Sequence, residues 1–123
     1  MNSKQPKNLN LFSIRLPLPA LVSILHRMSG VLLFLLMPFL SWALCASLIS
    51  DLYFNKTVLI LNTWPIKIIG VFFIWAFIHH LMAGLRHLLL DLQIGNDLIV
   101  ARFSSKSVLL ISFILTAIAV YLV

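Results

Sequence analysis

Two short stretches hold most of the residues that could do chemistry: SILHRMSG, residues 23–30, and IHHLMAGLRHLLLD, residues 78–91. Ser23 and Arg27 are four residues apart, so on a helix they stand one above the other. Gly30 continues that face, and His26 points about 100° away from it. In the second stretch His80, Gly84, His87 and Asp91 fall at i, i+4, i+7 and i+11 and form one stripe; His79, Ala83 and Arg86 form the stripe beside it. A neutral imidazole in a dry, apolar bundle is a natural axial ligand for haem iron, and a glycine one turn away removes a side chain that would block a flat macrocycle. His80 and Gly84 have that relation.

Which solvent these residues face is set by composition. Of 123 residues, 62% are hydrophobic and 10% charged, against the roughly 25% charged of a soluble domain. Mean hydropathy is +1.09. These values describe an all-α membrane protein. A net charge of +6 would suit nucleic acid if it were clustered, but the nine Lys and Arg are scattered in short gaps between apolar runs. They read as topology signals, and no nucleic-acid partner is expected. The single cysteine, Cys45, excludes a disulfide framework or a multi-cysteine metal site within this chain, and it is expected to be a small core residue.

Three spanning helices are expected, at about residues 20–49, 65–92 and 106–123, in one domain covering residues 1–123. Pro19 suits the first turn of helix 1, and Pro38 should bend it. The first helix is too long for the apolar region of a cleaved signal and lacks a small-x-small site, so it should be retained. DLYFNKT reads as a short polar break, after which Asn62 or Thr63 caps a helix opened by Pro65. Gly95 and Asn96 mark the next turn, and SSKS leads into a third run that barely reaches spanning length. Lys4, Lys7, Arg15 and Arg27 lie on the N-terminal side, Arg86, Arg102 and Lys106 around the second break, and only Lys56 and Lys67 opposite. That bias puts the N-terminus inside and the C-terminus outside.

Depth separates the polar residues. Arg27 sits roughly 10 Å along helix 1, at ~1.5 Å per residue, where it is costly unless it faces protein, water or a ligand. It could equally be an inside anchor whose charge snorkels to the headgroups, with Ser23 merely interfacial. Asp91 reads as interfacial. His80 lies about 18 Å from the inner end of its helix, near mid-bilayer, where an ionisable group is a functional candidate by default. His80 and His87 project from one face about 10 Å apart and cannot reach opposite sides of one iron. His26 is expected at the depth of His87 rather than His80. If His80 is a ligand, the sixth position should therefore come from another polypeptide.

Together, SILHRMSG and HLMAGLRHLLLDL, with NLNL and IRLP near the N-terminus, resemble the cytochrome b membrane-anchor subunits of succinate dehydrogenase, respiratory complex II. The resemblance covers nearly the whole chain. It implies one b-type haem shared with a companion anchor subunit, with His80 as this chain's axial, metal-binding ligand beside Gly84. It implies that His26 and Arg27 lie where haem propionates approach. Ser23 and Arg27 match residues lining a ubiquinone site, where a hydroxyl and a guanidinium can orient and polarise the carbonyls as they are reduced. The implied partners are a flavoprotein subunit, an iron–sulfur subunit, the second small anchor and membrane lipid, in the bacterial inner membrane with a cytoplasmic N-terminus and periplasmic C-terminus. Catalysis on succinate would then lie in other chains. Other classes that fit less well are a stand-alone membrane b-type cytochrome, which needs a second suitably placed histidine, and a transporter, which should show broken helices or repeats. A fumarate reductase-type anchor is a further alternative.

Overall fold

A computed structural model describes residues 16–122, and they form helices joined by short turns. Helix α1 spans Leu18–Ser47, α2 Asp51–Leu61, α3 Trp64–Asp91 and α4 Leu98–Leu122. The three longer ones, of 30, 28 and 25 residues, are each long and apolar enough to cross a membrane. The chain is a multi-pass, all-α membrane protein. Lys4, Lys7, Arg15 and the NLNL segment lie outside the described residues.

Local chemistry explains the boundaries. Pro17 offers its carbonyl to Ala20 and Leu21 N–H at 2.9 and 3.1 Å, which starts α1 two residues before Ala20, and the helix then continues through Pro38. The stretch expected as a polar break is instead α2: Ser50 Oγ accepts from Tyr53 N–H at its first turn, where Asp51 complements the helix dipole. Asn62 closes α2, and Thr63 occupies the cap position of α3 in extended conformation. Its hydroxyl does not cap α3; it donates back to the Ile60 carbonyl at 2.7 Å.

The end of α3 is set by left-handed backbone at Gln93 (φ 61°) and Gly95 (φ 81°). The chain then turns directly into α4, eight residues earlier than position 106. SSKS does not delay the helix because its serines bond to their own turn: Ser104 and Ser105 Oγ donate to the Ala101 carbonyl at 3.1 and 2.7 Å, and Ser107 Oγ to the Phe103 carbonyl at 3.0 Å. The third span is thus comfortably long.

α1, α3 and α4 pack on one another, with α2 beside α1 and α3. Their meeting faces are narrow and built largely from small or hydroxyl residues. α3 buries Ala76, His79, Ala83 and Arg86; α4 buries Ser105, Val108, Ser112 and Thr116; α1 buries Val22 and Ser29. Small residues let helix backbones approach where apolar burial gives no advantage over lipid. Ser112 and Thr116 hydroxyls are satisfied by carbonyls of Val108 and Ser112 at 2.6 and 2.7 Å. Phe34, Trp42, Leu48, Phe103 and many other large apolar side chains point outward, as a lipid-facing surface requires. Cys45, expected in the core, is among the exposed residues, because α1 turns that face away from α3 and α4.

Candidate functional site

The N-terminal half of α1 and the C-terminal half of α3 bring three imidazoles together. The rings of His26 and His80 stack at 4.2 Å between centroids and 12° between planes, and His26 meets His87 at 5.1 Å and 51°. His26 is therefore between the depths of His80 and His87, which corrects the expectation that it lies level with His87. The cause is the register of the helix ends. With α1 starting at Leu18 and α3 ending at Asp91, His26 is about 12 Å in, His80 about 17 Å and His87 about 6 Å, at ~1.5 Å per residue.

His80 is oriented by α1. Its Nδ1 lies 3.0 Å from the His26 carbonyl oxygen and 3.2 Å from Ser29 Oγ. Ser29 itself is buried and donates its hydroxyl hydrogen to that same carbonyl at 2.8 Å. A carbonyl can only accept, and the serine hydrogen is already committed, so the arrangement is consistent only when Nδ1 carries the proton. Nε2 then keeps its lone pair. A second ring nitrogen tied to a backbone carbonyl is the usual arrangement of a metal-ligating histidine.

Stacking also limits what the chain can do by itself. An imidazole lone pair lies in the plane of its ring, whereas His26 and His80 present their faces to each other. The two cannot grip one metal between them in this arrangement.

Two glycines make the approach possible. A Cβ at Gly30 would sit 2.9 Å from His80 Cε1, and one at Gly84 would sit 3.3 Å from His26 Nε2. His26, His80, Gly84, Leu81, Leu85 and Leu88 together line an open cleft of about 210 Å³. Its lining combines two imidazoles with three leucines and the bare backbone of Gly84.

Of the residues singled out from the sequence, His26, His80, His87 and Gly84 are thus brought together. Ser23 is half-buried on α1, and Arg27, one turn along the same face, is exposed and lines a separate hollow of about 310 Å³ with Met28, Val31 and Leu32. Asp91 is exposed at the end of α3. Ser29 and Gly30 were missed as separate functional residues. Their signal was the spacing 26, 29, 30, which puts both on the His26 side of α1.

Beside this cluster, the stripe of His79 and Arg86 serves packing. Arg86, 6% exposed, donates Nε to Ser104 Oγ at 3.0 Å and Nη2 to the Ala101 carbonyl at 3.2 Å, tying α3 to α4. His79 is fully buried, with Ser112 Oγ 3.5 Å from its Nδ1 and the Trp75 ring stacked on it at 5.3 Å.

Residues 1–119 match the model of the family described as succinate dehydrogenase/fumarate reductase transmembrane subunit. A relative from Coxiella burnetii, named succinate dehydrogenase cytochrome b556 subunit, is 37% identical over 97% of this chain and 96% of its own length. Proteins of the same name from Rickettsia felis and Paracoccus denitrificans are each 33% identical, over 93% and 90% of this chain and 89% and 85% of theirs. By match length and identity alike, the chain belongs to the succinate dehydrogenase/fumarate reductase transmembrane subunit family.

Proposed function

We propose that this chain is the anchor subunit of a succinate:quinone oxidoreductase that holds one side of a b-type haem and forms part of the ubiquinone-reduction site. The observation that carries the reading is the 3.0 Å contact of His80 Nδ1 with the His26 carbonyl, which calls for a hydrogen on Nδ1 and leaves Nε2 of the neutral ring as the available ligand atom. Haem b, when bound, supplies a store for one electron close to the quinone. The chain's own residues do the rest. His80 Nε2 would ligate the iron, and Gly84 leaves room beside it. Ser29 holds the carbonyl that orients His80. His26 and Arg27 suit the carboxylates of the haem edge, which need donors.

Reduction of a quinone adds electrons and protons at two carbonyl oxygens, so it needs hydrogen-bond donors where charge develops. Ser23 and Arg27 share a face of α1 near its inner end and can supply a hydroxyl and a guanidinium. The electrons must come from iron–sulfur and flavin centres on other subunits, since this chain has one cysteine. A companion anchor would close the cleft and supply a second ligand to the iron, a reading supported by the stacked rings of His26 and His80, which do not converge on one metal. In the bacterial inner membrane, the lysine and arginine distribution supports an orientation with the N-terminus cytoplasmic and the C-terminus periplasmic. All of residues 1–123 would act as one membrane domain.

The test uses the intact complex with paired variants. His80→Ala should abolish or strongly alter the b-type haem spectrum, and His87→Ala should leave it largely intact. Ser23→Ala and Arg27→Leu should each lower succinate-to-quinone turnover by roughly 10² to 10³, the usual effect of losing one donor at a developing charge, while reduction of a soluble dye upstream is spared. Reversal of the histidine pattern would move the ligand to His87. Wild-type quinone turnover in both Ser23→Ala and Arg27→Lys would reduce these two residues to interfacial anchors.

A further inference from the structure

At the other end of the bundle from the histidines, the start of α3 and the end of α4 enclose a groove of about 540 Å³. Pockets of ~300–1,000 Å³ are of a size to hold a small-molecule ligand. Its polarity changes in one direction. Asn62 and Lys67 stand at its mouth, within about 5 Å of the first turn of α3 at ~1.5 Å per residue. Gly70, Val71 and Ile74 follow, about 9–15 Å from the start of α3 at ~1.5 Å per residue, with Val120 of α4 opposite. Trp64, exposed at the helix start, is the type of residue that sits at headgroup level and so sets the depth of Lys67.

Gly70 adds an independent observation. A glycine inside a helix is destabilising relative to alanine, so its presence calls for a reason. Gly30, Gly84 and Gly95 each have one, since a Cβ there would press on His80, His26 or Val100. At Gly70 a Cβ would meet nothing within 4 Å. No contact within the described residues asks for the missing side chain. It widens the floor of the groove for something outside the chain.

We propose that this groove binds a phospholipid, with its phosphate on Lys67 and Asn62 and one acyl chain lying over Gly70 towards Ile74. A cation and an amide at headgroup depth complement a phosphate, and the apolar floor below them runs along the membrane normal as an acyl chain does. A partner helix would call for a run of small residues on which backbones could meet. Here the glycine stands alone among Ile66, Val71 and Ile74, and a lysine blocks the mouth. Only the identity of the leaflet, the periplasmic one, rests on the orientation proposed above.

Native mass spectrometry of the purified complex, washed extensively in detergent and then exposed to phosphatidylethanolamine and phosphatidylglycerol micelles, counts the phospholipid retained. Wild type and Gly70→Ala should keep one phospholipid more than Gly70→Leu, whose side chain fills the floor. Lys67→Gln, at an exposed position that folding does not depend on, should weaken retention about fivefold. Equal lipid counts in wild type, Gly70→Leu and Lys67→Gln would overturn the proposal. So would loss of a protein subunit from Gly70→Leu, which would make the groove a helix-packing surface, or release of a quinone in place of the phospholipid.

Discussion

A methyl group added at Gly30 would come 2.9 Å from His80 Cε1, on a backbone that cannot retreat without unpacking α1 from α3. The His80 ring would have to give up its stack on His26 or its bond to the His26 carbonyl. On the haem role proposed for His80, Gly30→Ala is therefore expected to cost roughly 10- to 100-fold in haem retention, the usual effect of losing support around a metal ligand. At Gly84 the approach is 3.3 Å and the neighbour is the tip of a side chain, His26 Nε2, so Gly84→Ala should be milder. Haem absorbance per assembled complex, compared between the two variants, checks the order. Greater loss in Gly84→Ala would mean that the space above Gly84 matters more than the seat of His80. The types and spacing in SILHRMSG and in the His80 stripe were legible without coordinates. The roles of Ser29 and Gly30 were not, because their partner is on a helix some fifty residues away, and periodicity names a face without naming what meets it.

The same limit appears in the helices. α3 carries two adjacent polar stripes, and 3.6-residue periodicity treats them alike. Packing distinguishes them: the Ala76, His79, Ala83, Arg86 stripe is buried against its neighbours, leaving His80 and Gly84 at an open cleft. Apolar runs located all three spans to within a few residues, except the start of α4, where serines read as a loop were in fact bonded to their own helix. α2 was hidden because its polar residues, Asp51, Asn55 and Lys56, looked like a break, although Ser50 and Asp51 form an ordinary helix start. The buried guanidinium of Arg86 leads to a prediction about the α3 and α4 pair. Ser104 Oγ still donates to the Ala101 carbonyl when Arg86 is gone, so Arg86→Met orphans no donor at that site and should be nearly neutral. Arg86→Lys keeps a charge there without the two-armed geometry and should destabilise the complex by about 1–3 kcal/mol. Thermal unfolding of the purified complex compares them, and a less stable Arg86→Met would show that the hydrogen bonds outweigh the cost of burying the charge.

For the whole molecule, three candidate spans, each crossing once, would put the start of α1 and the end of α4 on opposite sides of the membrane. With Arg27, Arg86, Arg102 and Lys106 near one surface and Lys56 and Lys67 near the other, reporters joined after Asn96 should read cytoplasmic, and those joined after Asn62 or Val123 periplasmic. Activity of a periplasm-dependent reporter after Asn96 would invert every depth used for His80 and Arg27. The tie between α3 and α4 also bears on how the chain is made. Arg86 finds its acceptors on Ser104 and Ala101, which leave the ribosome after it. An arginine in an isolated spanning segment is penalised during insertion, by up to about 3 kcal/mol at the helix centre and less towards its end. The acceptors follow within 18 residues, across the short turn at Gln93 and Gly95. Pairing with α4 removes that penalty, so the α3–α4 hairpin is more stable in the bilayer than α3 alone.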